Sequence, residues 1–175
     1  DYSKITDVVT TLHKTEFKYD GEESTTKLLG YYQTRNAATV LTAVIILREC
    51  GVVIPESVTT IAHHAFSGCE KLQSVKLPDS LETLSSDSFS GCVALEDLYI
   101  GKSLKIIGKS AFEGCTSLKG IYISDTVETV DASAFAGCSS LYHVDMDNSI
   151  VSIGANAFSA CTSLESIDIP YSVTD

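Results

Sequence analysis

Basic residues are scarce in this sequence: 12 Lys and Arg stand against 23 Asp and Glu, for a formal net charge of −11. Nucleic acids and anionic membrane surfaces both require a basic face, so neither is expected as a partner. Methionine is scarcer still. The one copy is Met146, the chain opens on Asp1, and no secretory signal is visible, so a mature product or a fragment is expected. Long apolar runs are missing as well. The longest, Ala37 to Leu47, is interrupted by Thr39 and Thr42 and falls far short of the ~20 residues a membrane helix needs. No membrane span is expected.

The motifs that mark chemistry are also absent. No Cys-x-x-Cys or Cys–His pair has zinc-ligand spacing. There is no G-x-S-x-G nucleophile elbow and no Gly-rich phosphate loop. Adjacent residues rarely converge on one metal, so His63 and His64 read as solvent-facing. Asp145, Asp147 and Asn148 make an oxygen-rich run that could touch calcium. The run lacks the glycine turn and distal bidentate Glu of a calcium loop, so it reads as a solvated acidic corner. The expectation is a protein without catalytic residues, metal or cofactor.

What the sequence does contain is a repeat. Ala65-Phe66-Ser67-Gly68-Cys69 returns around Phe89 and Cys92, Phe112 and Cys115, Phe135 and Cys138, and Phe158 and Cys161, each time after 23 residues. A period of that size, without insertion or deletion, is the signature of a solenoid. Seven apolar columns run through it, among them Val58/Leu81/Leu104/Val127/Ile150, the Phe column, the Cys column and Leu72/Leu95/Leu118/Leu141/Leu164. So many inward positions leave no room for two independent faces. Each repeat must wrap around one core and stack on its neighbours.

Ser74-Val75-Lys76-Leu77 alternates out and in, as a half-buried strand does. Its equivalents run from Asp97 to Ile100, Gly120 to Ile123, His143 to Met146 and Ser166 to Ile169, and together they are expected to form one parallel sheet. A second, shorter strand is expected over Ser57 to Ile61 and its equivalents. The Ala-Phe-x-Gly-Cys segment reads as a short helical turn, with Ala160 breaking the glycine column so that its corner tightens differently. The Cys column reads as buried free thiols packing like small apolar groups, since parallel Cβ vectors do not suit a disulfide. Cys50, outside the column, is left free or paired with Cys69.

Residues 1–51 do not follow the repeat and are expected to cap the solenoid of residues 52–175. Ile5 to Leu12 fits a short helix or a strand, Glu16 to Ser24 is polar with a turn signal at Asp20-Gly21, and Lys27 to Gln33 fits a strand. A helix over about 37–49, N-capped by Asn36 and ended by Gly51, makes the cap mainly helical. The fold class expected is therefore an α/β repeat solenoid, with five full repeats and part of a sixth.

The pattern I-P-x-S-V-x-x-I-x-x-x-A-F-x-G-C-x-x-L-x-x-V-x-I resembles the leucine-rich repeats of the BspA type. The likeness covers about residues 54–175, with Pro78 and Pro170 where that family has its proline. It implies a right-handed, curved leucine-rich-repeat coil with a parallel sheet on one face and short helical turns opposite. It also implies a secreted or cell-surface protein that acts in adhesion or protein–protein interaction.

The residues free to vary are those facing out from the main sheet. One column reads Lys76, Tyr99, Tyr122, Asp145, Asp168; the others contribute Asp97, His143 and Tyr142. Tyr99 and Tyr122 fall side by side, as a stacked pair that stabilises the sheet or as part of a site for a protein or glycan. The incomplete sixth repeat offers an alternative, self-association end to end through the C-terminal end.

Overall fold

The computed structural model describes residues 5–10, 15–19, 22–26, 51–54 and 56–174. The chain divides into two units, Asp1–Arg35 and Asn36–Asp175.

The first unit contains β1 (Ile5–Thr10), β2 (Thr15–Tyr19) and β3 (Glu22–Thr26) in one antiparallel sheet of order β1-β2-β3. Residues 5–10 thus take the strand alternative. The polar stretch from Glu16 to Ser24 is also mostly strand, because Thr, Phe and Tyr favour the pleated backbone. Tyr19 pairs with Glu22, with Asp20-Gly21 between them in sequence. The described part of the N-terminal segment is therefore β rather than helical. The helix expected over 37–49 and the strand expected over 27–33 lie outside the described residues.

The second unit is a repeat solenoid. On one side lie β4 (Gly51–Val53), β6 (Ser74–Lys76), β8 (Asp97–Tyr99), β10 (Gly120–Ile123) and β12 (His143–Met146). They form two parallel ladders, β4-β6-β8 and β10-β12, rather than one continuous sheet. The split falls at Gly120, the residue type least able to hold a strand together. Ser166–Ile169 does not form a strand, and Ile169, expected inside, is 49% exposed.

The second, shorter strands form a continuous parallel sheet of β5 (Thr60–Ile61), β7 (Thr83–Leu84), β9 (Ile106–Ile107), β11 (Thr129–Val130) and β13 (Ser152–Ile153). In each pair the partners are 23 residues apart, as in Ile61↔Leu84 and Val130↔Ile153. Between the sheets the core is apolar. Leu81, Leu84, Phe89, Leu95, Leu104, Phe112, Leu118, Phe135 and Leu141 are completely buried.

The Phe-x-Gly-Cys corner is not helical, and no helix occurs among the described residues. Its backbone alternates between two kinds of bond. The N–H groups of Ser67 and Cys69 close tight turns onto His64 and Phe66, whereas those of His64, Phe66 and Gly68 donate to Ser86, Ser88 and Ser90 of the next repeat at 3.3, 2.7 and 2.7 Å. Turning alternate amides outward requires left-handed residues. Gly68, Gly91, Gly114 and Gly137 supply one per repeat at φ 70–74°, and His64, Asp87, Ser110, Ser133 and Asn156 supply the other at 52–61°. Ala160 holds the glycine position at φ 58°, so its corner is built as the others are.

The phenylalanines stack along this corner with ring centroids 4.8–5.4 Å apart and planes within 9° of parallel. The carbonyls of Phe66, Phe89, Phe112 and Phe135 each serve two donors. Phe66 accepts the Cys69 N–H at 3.1 Å and, from the next repeat, the Cys92 thiol at 3.1 Å. Cys115, Cys138 and Cys161 donate in the same way to Phe89, Phe112 and Phe135 at 3.2–3.3 Å. Cysteine in this column is thus a hydrogen-bond donor as well as a packing group, and Cys69, Cys92, Cys115, Cys138 and Cys161 are all free. Burial pushes the Cys115 thiol up to about 12 and raises Cys138 also.

Candidate functional site

The repeat commits its alternating strand residues to the core, so the other half of each strand faces water. Val75 and Ile121 are buried, while Lys76, Tyr99, Tyr122 and Asp145 are exposed. Tyr99, Tyr122 and Tyr142 leave 43%, 55% and 64% of their surfaces accessible. His143, Asp97 and Asp168 are exposed too, although Asp168 lies on the segment that is not a strand. His63 and His64 are both exposed.

The face is not uniform along its length. At its N-terminal end Lys76 Nζ sits 5.6 Å over the Tyr99 ring, a cation–π arrangement. The Tyr99 hydroxyl donates to Asp79 Oδ1 at 3.4 Å, and the same oxygen accepts the Lys102 N–H at 3.2 Å. Lys119 Nζ donates to Glu96 Oε2 at 2.6 Å. Here one lysine, Lys119, meets a carboxylate of the same face, and another, Lys76, meets a ring.

The next ladder differs. Tyr122 pairs in register with Asp145, and its hydroxyl donates to Asp147 Oδ2 at 2.6 Å. The two tyrosines expected as a stacked pair thus direct their hydroxyls to different carboxylates, one on either side of the ladder split. The hydrogen bond to Asp147, with smaller contributions from desolvation and the charges of Asp147, Asp125 and Asp145, pushes the Tyr122 phenol up to about 12.

Sequence reasoning located the columns but missed the partners Asp79, Asp125 and Asp147, which follow the strands rather than lie in them. It also missed a charge partition open to simple counting. Residues 51–119 carry eight Asp and Glu against six Lys and Arg, whereas residues 120–175 carry eight against none. No group of three His, Cys, Asp or Glu among the described residues is placed to hold a metal ion. No helix among them is long and apolar enough to cross a membrane.

Residues 50–165 match the family model of the BspA type leucine rich repeat region in six copies. No curated protein matches the chain. Among solved structures, it is similar to a leucine rich cell surface protein from Faecalibacterium prausnitzii at 38% identity and a TM-score of 0.62, over 64% of this chain and 30% of that one. A leucine-rich repeat protein from Eubacterium ventriosum shares the fold at 23% identity and TM-score 0.59, over 69% of this chain and 39% of that one. The pneumococcal vaccine antigen PcpA does so at 22% identity and TM-score 0.58, over 71% and 35%. The chain thus spans between about 30% and 39% of the length of these proteins.

Proposed function

We propose that this chain, which belongs to the BspA-type leucine-rich repeat family, is a non-enzymatic binding module that grips a protein or glycan on the outward face of its main strands. The observation that carries the reading is the trio Tyr99, Tyr122 and Tyr142, left 43–64% exposed on an otherwise regular scaffold. Tyrosine offers a large contact area with few rotatable bonds, and a rigid framework removes the ordering cost that a loop would incur on binding. The likeness to a protein described as a cell surface protein supports a secreted or surface-displayed setting, with adhesion or protein–protein interaction as the role.

The test is the triple substitution Tyr99→Ala, Tyr122→Ala and Tyr142→Ala, assayed against immobilised extracellular-matrix proteins and a glycan array. Loss of the strongest interaction at unchanged melting temperature is expected. Undiminished binding would move the site off this face.

A further inference from the structure

We propose that the face around Tyr122 and Tyr142 docks a lysine- and arginine-bearing stretch of polypeptide. This rests on the binding reading above and narrows it to one class of partner.

The first support is a template inside the molecule. Tyr99 is served by two partners: Asp79 takes its hydroxyl and Lys76 lies over its ring. Tyr122 has the first of these in Asp147 and not the second, because its neighbours in the outward column are Tyr99 and Asp145. A cation over an exposed tyrosine ring flanked by a carboxylate gains from both the ring quadrupole and the charge. Among the described residues the protein makes this arrangement with Lys76 over Tyr99 and places no cation over Tyr122, which leaves that position to the cation of a partner.

The second support is charge complementarity. From Gly120 to Asp175 the chain has eight carboxylates and neither Lys nor Arg, so these residues account for −8 of the net −11. Of the face's own lysines, Lys76 lies over Tyr99, and Lys119 is ion-paired with Glu96, with Asp97 and Tyr142 also close enough to act on it. At Tyr122 the bordering charges are carboxylates, with Asp147 Oδ2 2.6 Å from its hydroxyl and Asp145 paired with it in register.

The spread of these carboxylates selects the kind of cation. No three of them converge as metal ligands would. Separated single charges on strands ~4.8 Å apart suit the spaced ammonium and guanidinium groups of an extended chain. Tyr142, 64% exposed on the same ladder, adds area for the stems of those side chains.

The experiment uses the whole chain and two synthetic peptides of equal length, one alternating Lys and Arg with Ser, the other with Gln in place of each cation. Binding is read by calorimetry at low and high salt. The basic peptide is expected to bind and to weaken as salt rises, and the Gln peptide is not. Asp145→Asn with Asp147→Asn should weaken the basic peptide at least tenfold. Glu128→Gln with Asp131→Asn, the same charge change beside the shorter sheet, should weaken it no more than twofold. Equal losses from the two double variants would mean diffuse attraction and overturn the proposal. So would failure of the basic peptide to bind. If the triple tyrosine variant still loses its matrix or glycan ligand in that case, the binding face stands and only the cationic partner falls.

Discussion

The two halves of the solenoid are built alike and finished differently. Tyr99 and Tyr122 occupy the same column one repeat apart, and each donates its hydroxyl to an aspartate. Around Tyr99 the molecule supplies its own cations. Around Tyr122 the described residues supply carboxylates, Asp147 at its hydroxyl and Asp145 in register with it. The scaffold is thus indifferent to what its outward columns carry, and chemistry can change from one repeat to the next without disturbing the core. Shared structure resides in the inward columns, and the difference between neighbouring repeats lies in the outward ones.

The largest predicted effect breaks what the halves share. Phe112 is completely buried and stacked between Phe89 and Phe135, so Phe112→Ala should cost about 3–5 kcal/mol, measured by urea denaturation. Making the halves alike on the surface comes next. Asp145→Lys places a cation beside Tyr122 and should weaken the basic peptide by tenfold or more, ~1.4 kcal/mol, while leaving the melting temperature within a degree or so of the parent.

Two substitutions sharpen the comparison by removing irregularities of single repeats. Ser88 stands where other repeats have alanine, and its completely buried hydroxyl has no hydrogen-bond partner. Ser88→Ala should stabilise the protein by about 1 kcal/mol. Ala160→Gly should add ~0.5 kcal/mol, since relief of the left-handed strain at φ 58° exceeds the added freedom of the unfolded chain.

The smallest effect is a titration. A raised phenol favours the neutral form in the folded state. The stabilisation linked to Tyr122 is complete below its ordinary value of 10.0 and is lost as pH climbs through about 12. Ultraviolet titration should show Tyr122 ionising late, and Asp147→Asn should move it down. A spectrum unchanged by that substitution would break the pairing on which the comparison rests.

The period, the inward columns and the outward tyrosines could be read directly, because 23-residue spacing repeats without a gap. The corner could not. Its left-handed positions are filled by His64, Asp87, Ser110, Ser133 and Asn156, a changing set of residue types rather than one repeated glycine, so no column marks them. β2 and β3 were hidden for a related reason. Thr15–Tyr19 and Glu22–Thr26 are short and largely polar, and their pairing rather than an apolar stripe makes them strands. The partners of the tyrosines were hidden because Asp79 and Asp147 reach them from positions beyond the strands.

The left-handed corner also determines how the solenoid folds. The strain at Ser110 or Ser133 belongs to a single repeat, on the order of 1 kcal/mol for each such residue. The three amide bonds it permits, such as Ser110 to Ala132, Phe112 to Ala134 and Gly114 to Ala136, belong to the junction between two repeats. An isolated repeat therefore has reason to relax, and a stacked one has reason to stay. With the intrinsic term unfavourable and the interfacial term favourable, formation spreads from one repeat to the next as a cooperative front. Damage at one corner should then be felt by the repeats on either side before it reaches the ends.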